Sequence, residues 1–302
     1  MSQGTTTEEL SSLATVTSSK LRTPPWKRRW FVILPFLLIL LLFVIISIAP
    51  GLFAKHDPIY TELGQRLQPP GFVDPNGLTY IWGTDDLGRD IFSRVIHGAR
   101  VSLIVAVSAV LVSGILGGIL GMLAGFYRGV IGTVIMRLAD ILLSIPFLLL
   151  AILTVAVLGP DLINLVIVLG IVRWPRYARV AYSATLATVN RDFVKASEAL
   201  GARSGRLLFR HILPELIPPL LVVATLEVGL MILFEASLSF IGLGVQPPDP
   251  SWGSMMATGR NYVASAWWIA TFPGIAIFLI VLSINMIGDD VRDRLDPKNK
   301  RR

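Results

Sequence analysis

The 302 residues include no cysteine, which excludes a disulfide framework and any thiolate metal site. Histidine is nearly as scarce. His56, His97 and His211 lie far apart, with no H-x-x-H or H-E-x-x-H spacing, so a metal centre is not expected. No G-x-x-x-x-G-K-[ST] segment occurs, and the chain therefore has no P-loop with which to bind ATP. Charge is thin as well: 16% of residues, where soluble domains carry roughly 25%.

Long apolar runs take the place of the missing charge. Phe31 to Ala49 contains no charged residue, and about 20 apolar residues at 1.5 Å rise match a hydrocarbon layer of ~30 Å. Further runs cover Val101–Phe126, Val130–Leu158, Leu162–Val172, Leu216–Phe240 and Trp267–Ile287. Backbone polar groups in lipid must pair within their own segment, so these runs are read as helices. The fold expected is an all-α integral membrane protein with about six transmembrane helices. The first run is too long for a signal-peptide core and is followed by no clear cleavage site, so it is read as a retained span.

The organisation expected is a Ser/Thr-rich disordered tail over 1–29, a first span over 30–50, an extracytoplasmic segment over 51–98, a membrane domain over 99–290 and a basic tail over 291–302. Basic residues set the orientation. Lys20, Arg22, Lys27, Arg28 and Arg29 precede the first span, the stretch Arg173–Arg210 is rich in arginine, and Arg292 to Arg302 closes the chain. The positive-inside rule puts these parts, and both termini, in the cytoplasm. It also accounts for the net charge of +7 without nucleic acid as a partner. Lys55, Arg66, Arg89, Arg94 and Arg100 run against the rule in the outer segment, among Asp57, Glu62, Asp74, Asp85, Asp86 and Asp90. Beside Gly83 and Gly88, the carboxylates Asp85, Asp86 and Asp90 read as an ordered turn rather than acid–base machinery.

Between the fourth and fifth spans the pattern changes. Asn190 is placed to cap a helix starting at Arg191, with Asp192 in its first turn. Phe193, Ala196 and Leu200 recur at helical spacing, and Gly201 stands where a left-handed cap residue belongs. Ser204 is placed to cap a second short helix carrying Arg203, Arg206 and Arg210 on one side, which His211-Ile212-Leu213-Pro214 ends. The product is a helix, a glycine elbow and a second helix, a device suited to a soluble partner that pushes on the spans.

Lys195-Ala196-Ser197-Glu198-Ala199-Leu200-Gly201, nine residues, then His211-Ile212-Leu213-Pro214 resembles the EAA loop of ABC-type importer permeases. That pattern reads E-A-A-x-x-x-G, nine residues, I-x-L-P. Gly201, Leu213 and Pro214 match it, whereas Lys195, Ser197 and His211 depart from it. Gly83 to Arg94, Leu238 to Pro248 with Ser251-Trp252-Gly253, and Gly288 to Asp293 with Leu295-Asp296-Pro297 resemble the oligopeptide/dipeptide/nickel branch. The resemblance covers most of the chain after Trp26. It implies a five-helix permease core preceded by one N-terminal span, in a bacterial inner membrane. It also implies a homologous second permease subunit, two cytoplasmic ATPase subunits that hold ATP and Mg, and an extracytoplasmic solute-binding protein. No cofactor is implied in this chain. Phe193, Lys195, Ala196, Glu198, Ala199, Leu200, Gly201, Arg203, Arg206, Leu213 and Pro214 become the ATPase-coupling loop.

Several polar and small residues admit two readings. Gly117, Gly121 and Gly125 form one small-residue face, for packing within the bundle or for a seam between subunits. Arg137 and Asp140, three apart, read as a mutual pair or as a gating element. Glu227 and Glu235 lie on a similar face of the fifth span and are candidates for the translocation pathway, Glu235 alternatively as an anchor for the loop after it. Di- or oligopeptides are the solutes expected, with nickel chelates or glutathione as alternatives in the same importer class. An ion-coupled transporter would call for inverted repeats and broken helices, and the sequence displays neither. An intramembrane enzyme would need a partner for Asp140 in another span, and none is evident.

Overall fold

A computed structural model describes residues 26–295. The tail through Pro25 and the residues from Asp296 onward lie outside that range. Contacts divide the chain between Pro35 and Phe36, inside the first helix. The packing described below belongs to the larger unit, from Phe36 on.

The described elements are almost all helical. They are α1 Trp26–Ile48, α2 Ile91–Tyr127, α3 Gly129–Ser144, α4 Phe147–Leu158, α5 Leu162–Val189, α6 Asp192–Ala199, α7 Ser204–Phe240, α8 Trp252–Gly259 and α9 Trp268–Leu295. Four of these, α1, α2, α7 and α9, are long and apolar enough to cross a membrane, and α3 with α4 makes a fifth crossing if the bent pair is one span. The only β-strands among the described residues form a hairpin of Phe72–Val73 (β1) against Thr79–Tyr80 (β2). Asp74 shapes its turn, accepting from the N–H groups of Asn76 at 2.9 Å and Leu78 at 2.7 Å.

The core is built on α2 and α5, the most extensively packed helix pair. Gly117, Gly121 and Gly125 meet α5 of the same chain. A Cβ at Gly117 would stand 2.3 Å from the Trp174 carbonyl oxygen, one at Gly121 2.3 Å from that of Ala178, and one at Gly125 2.7 Å from the Thr185 Cβ. Bare glycine thus lets the two backbones touch. α7 and α9 pack alongside, and the indole of Trp252, fully buried, donates to the Val95 carbonyl at 2.9 Å.

The helices differ from the sequence expectation in three places. α2 starts at Ile91, not near Val101, because Asp90 caps it by accepting from the Ser93 N–H at 2.9 Å. The run Val130–Leu158 is not one continuous helix: it breaks between α3 and α4 with a 93° bend. Pro146 at the break has no N–H to offer the preceding turn. α5 does not yield to a loop at Arg173 but continues to Val189, so Arg173, Arg176 and Arg179 are helical residues.

Candidate translocation cluster and exposed elbow

Glu227 sits near the middle of α7 with 1% of its surface exposed. A carboxylate in that position requires hydrogen-bond donors or counter-charges, and α5 supplies two cations. Arg173 forms a two-pronged bond, Nε to Oε2 at 3.0 Å and Nη2 to Oε1 at 2.7 Å. Arg176 reaches Oε1 with Nη1 at 3.1 Å. The Arg173 guanidinium also lies 5.3 Å from the ring centre of Phe147 and 5.4 Å from that of Phe234, so cation–π contacts fix it on the remaining side. Arg176 is different, its side chain 53% exposed. The cluster carries two positive charges against one negative. Sequence reasoning missed both arginines as partners of Glu227 because it assigned them to a loop. The available signal was the helical recurrence of Tyr177, Ala178 and Ala181 beyond them.

The other acidic residues find different surroundings. Glu235 is fully buried, accepting from Ser102 Oγ of α2 at 2.8 Å and from Ser239 Oγ at 2.7 Å. Ser239 Oγ in turn lies 3.4 Å from the Val245 N–H. Glu235 therefore ties α2 to the end of α7 and the following loop, and it presents no open face to a solute. Asp140 does not pair with Arg137: it bonds Nη2 of Arg179 on α5 at 2.7 Å, because α3 lies against α5 there.

The Gly83–Arg94 motif is a closed knot. Asp85 accepts from the N–H of Leu87 at 2.8 Å and of Arg89 at 2.9 Å, and pairs with Arg89 Nε at 2.7 Å. Gly88, at φ 78°, faces the Glu62 carbonyl so closely that a Cβ would stand 1.9 Å away. Burial, then the neighbouring Asp85 charge, pushes the Asp86 carboxyl above the ordinary carboxylate range.

The elbow forms with altered caps. Asn190 ends α5, its amide donating to the Leu186 carbonyl at 2.8 Å, and Arg191 takes the N-cap position of α6. Arg203, not Ser204, precedes the next helical turn. Gly201 is left-handed at φ 82°, and its N–H bonds the Glu198 carbonyl at 2.9 Å. His211 to Pro214 does not end the second helix. A π-turn over Leu207–Ile212 widens the backbone just before Pro214, which makes room for its ring, and the helix runs on to Phe240. Two anchors hold the elbow to α7: Arg191 to Glu215 at 2.8 Å, and Ser197 Oγ 3.3 Å from His211 Nε2. The latter joins two of the positions that depart from the EAA pattern. Val194 is buried, while Phe193, Lys195, Ala196, Glu198, Ala199, Leu200, Arg203 and Arg206 keep much of their surface open.

Residues 117–301 match the model of the binding-protein-dependent transport system inner membrane component family. The chain belongs to that family. This permease is accordingly a multi-pass protein of the bacterial inner membrane and a subunit of an ABC importer. It is 47% identical to the di/tripeptide transport system permease protein DppC of Pseudomonas aeruginosa, over 87% of each chain. It is 42% identical to the probable D,D-dipeptide transport system permease protein DdpC of Escherichia coli, over 86% of this chain and 85% of that one. With the dipeptide transport system permease protein DppC of Escherichia coli it shares 40%, over 86% and 88%. Among solved structures, the MetNI methionine ABC transporter gives a TM-score of 0.50 at 20% identity, over 67% of this permease and 96% of that chain, a likeness of fold.

Proposed function

We propose that this permease moves di- and oligopeptides into the cytoplasm by alternating access, driven by ATP hydrolysed in partner subunits. The observation that carries the solute class is its 40–47% identity, over most of its length, to relatives named for dipeptides and tripeptides. The working assembly pairs it with a homologous permease, two cytoplasmic ATPase subunits that hold ATP and Mg, and an extracytoplasmic binding protein. Both termini and the 190–214 elbow face the cytoplasm, and the segment 51–98 faces outward. Phe193, Ala196 and Leu200, open on the elbow, enter a groove of an ATPase subunit. Nucleotide-driven closure there displaces α6, and the Arg191–Glu215 and Ser197–His211 contacts pass the movement to α7, the helix that carries Glu227. Partners that bind one conformation better than another shift the population between inward- and outward-facing states.

The break between α3 and α4 is a feature that ion-coupled transporters also use. Uptake of a labelled dipeptide into proteoliposomes holding the whole assembly separates the two mechanisms. Uptake should require ATP and the binding protein and should survive collapse of proton and sodium gradients. Uptake that persists without ATP and vanishes with the gradients overturns the reading.

A further inference from the structure

The Arg173–Arg176–Glu227 cluster has an unbalanced charge in an awkward place. Arg173 and Arg176 lie near the middle of α5, and Glu227 lies midway along the Leu213–Phe240 part of α7. An exposed cation at that depth is costly against lipid, so it has to face water or a counter-ion. Arg173 is already occupied by Glu227 and two aromatic rings. Arg176 gives Glu227 a single contact and keeps half its side chain open.

That open side borders a cavity of about 380 Å³ where α3 bends into α4, lined by Ser144, Pro146, Phe147, Val172 and both arginines. Irregular backbone at membrane depth is tolerated where it lines such a cavity. Its charged side chains are both cationic, and the aromatic and aliphatic walls suit an apolar body. The Glu227 carboxylate, outside that lining, shows how the two guanidinium groups hold an anion.

We infer that Arg176, beside Arg173, receives the carboxylate of the transported solute, and that Glu227 occupies Arg176 between transport cycles. The inference rests on the peptide reading above for the identity of the solute, and on geometry alone for the anion. Arg173 is the fixed member and Arg176 the arm that changes partner. When the solute carboxylate arrives, one guanidinium remains on Glu227 while the other closes on the ligand, and the cluster becomes neutral.

The absence of native cysteine makes the cavity directly testable. Ser144→Cys is introduced and the assembled transporter is placed in nanodiscs of zwitterionic lipid, so that anionic headgroups are not a source of the bound anion. Anionic and cationic methanethiosulfonates are then compared, each rate divided by its rate with free thiol. The anionic reagent should react faster by on the order of tenfold, as charge-lined clefts raise the local concentration of counter-ions. Arg176→Gln should remove most of that preference, and Arg176→Lys, which retains the charge, should keep it. A free dipeptide should slow the labelling, and the same dipeptide amidated at its C-terminus should not. An unreactive thiol, equal corrected rates, or equal protection by the amide overturns the site. Loss of the anion preference alongside normal peptide uptake removes the site and leaves the peptide. An intact preference without peptide uptake removes the peptide and leaves an anion site.

Discussion

Gly121 and Gly201 are glycines for opposite reasons, and the difference predicts two kinds of failure. At Gly121 the obstacle is a neighbour: a Cβ would meet the Ala178 carbonyl oxygen at 2.3 Å and the Ala181 Cβ at 2.7 Å. A helix backbone cannot swing aside, so Gly121→Val must part α2 from α5, and overpacking of this kind costs about 1–3 kcal/mol. Its thermal midpoint should fall, as followed by size exclusion of heated, detergent-solubilised protein, and folded yield should fall with it. At Gly201 an added Cβ would meet no neighbouring group within 4 Å, and the obstacle is the backbone angle, φ 82°. Gly201→Val meets a local strain of roughly 1–2 kcal/mol, confined to the elbow. That variant should insert and melt like the parent, yet lose solute-stimulated ATP hydrolysis in the assembled transporter. Normal stimulation in Gly201→Val would show that the elbow angle is not used in coupling.

The elbow as an element is poorly sheltered. α6 has eight residues and buries Val194, while Phe193 stays 44% exposed and Leu200 89%. A buried aromatic anchor at an interface is worth about 2 kcal/mol or more, while an exposed charge at its rim is worth about 1 or less. Phe193→Ala should therefore lower the amount of ATPase that co-purifies with the permease more than Arg206→Ala does, and moderate salt should strip little of it. If Arg206→Ala loses the ATPase while Phe193→Ala retains it, the contact is electrostatic and the apolar assignment falls. Elements such as this one were legible because composition and spacing determine them: the apolar runs, the helical recurrence of Phe193, Ala196 and Leu200, and the left-handed Gly201. The break between α3 and α4 was not, and the reason lies in proline. Pro146 stands at a break, but Pro35, Pro175, Pro218, Pro219 and Pro273 all sit inside unbroken helices. Neighbouring helices decide which of them bends the chain, and neighbours are not visible in a linear pattern. The charged cluster was half legible for the same reason. A glutamate in an apolar helix announces a need for partners, but hydroxyls answer it at Glu235, and only the continuation of α5 past Arg173 shows that cations answer it at Glu227.

On the scale of the whole molecule, the arrangement relative to the membrane makes the remaining prediction. The inner side was assigned from arginine-rich stretches, yet Arg173, Arg176 and Arg179 turn out to be helical residues with carboxylate partners on other helices. A paired arginine inside the bundle carries little information about sidedness, because the positive-inside rule counts free cations in short loops. Setting those three aside, the elbow still has Arg203, Arg206 and Arg210 with no acidic partner among the described residues, and these still favour the proposed cytoplasmic placement. The segment between α1 and α2 behaves differently: its Arg89, together with Arg94 in the first turn of α2, is folded onto Asp85, which offsets part of the positive charge that runs against the expected outward placement. Thr79→Cys on the exposed side of the hairpin and Ser204→Cys at the elbow report the two faces separately. In intact spheroplasts a membrane-impermeant maleimide should label the first and leave the second until the membrane is opened. The reverse pattern would invert the topology, turn the elbow away from any cytoplasmic ATPase, and remove the basis for reading α6 as the element through which ATP hydrolysis reaches Glu227.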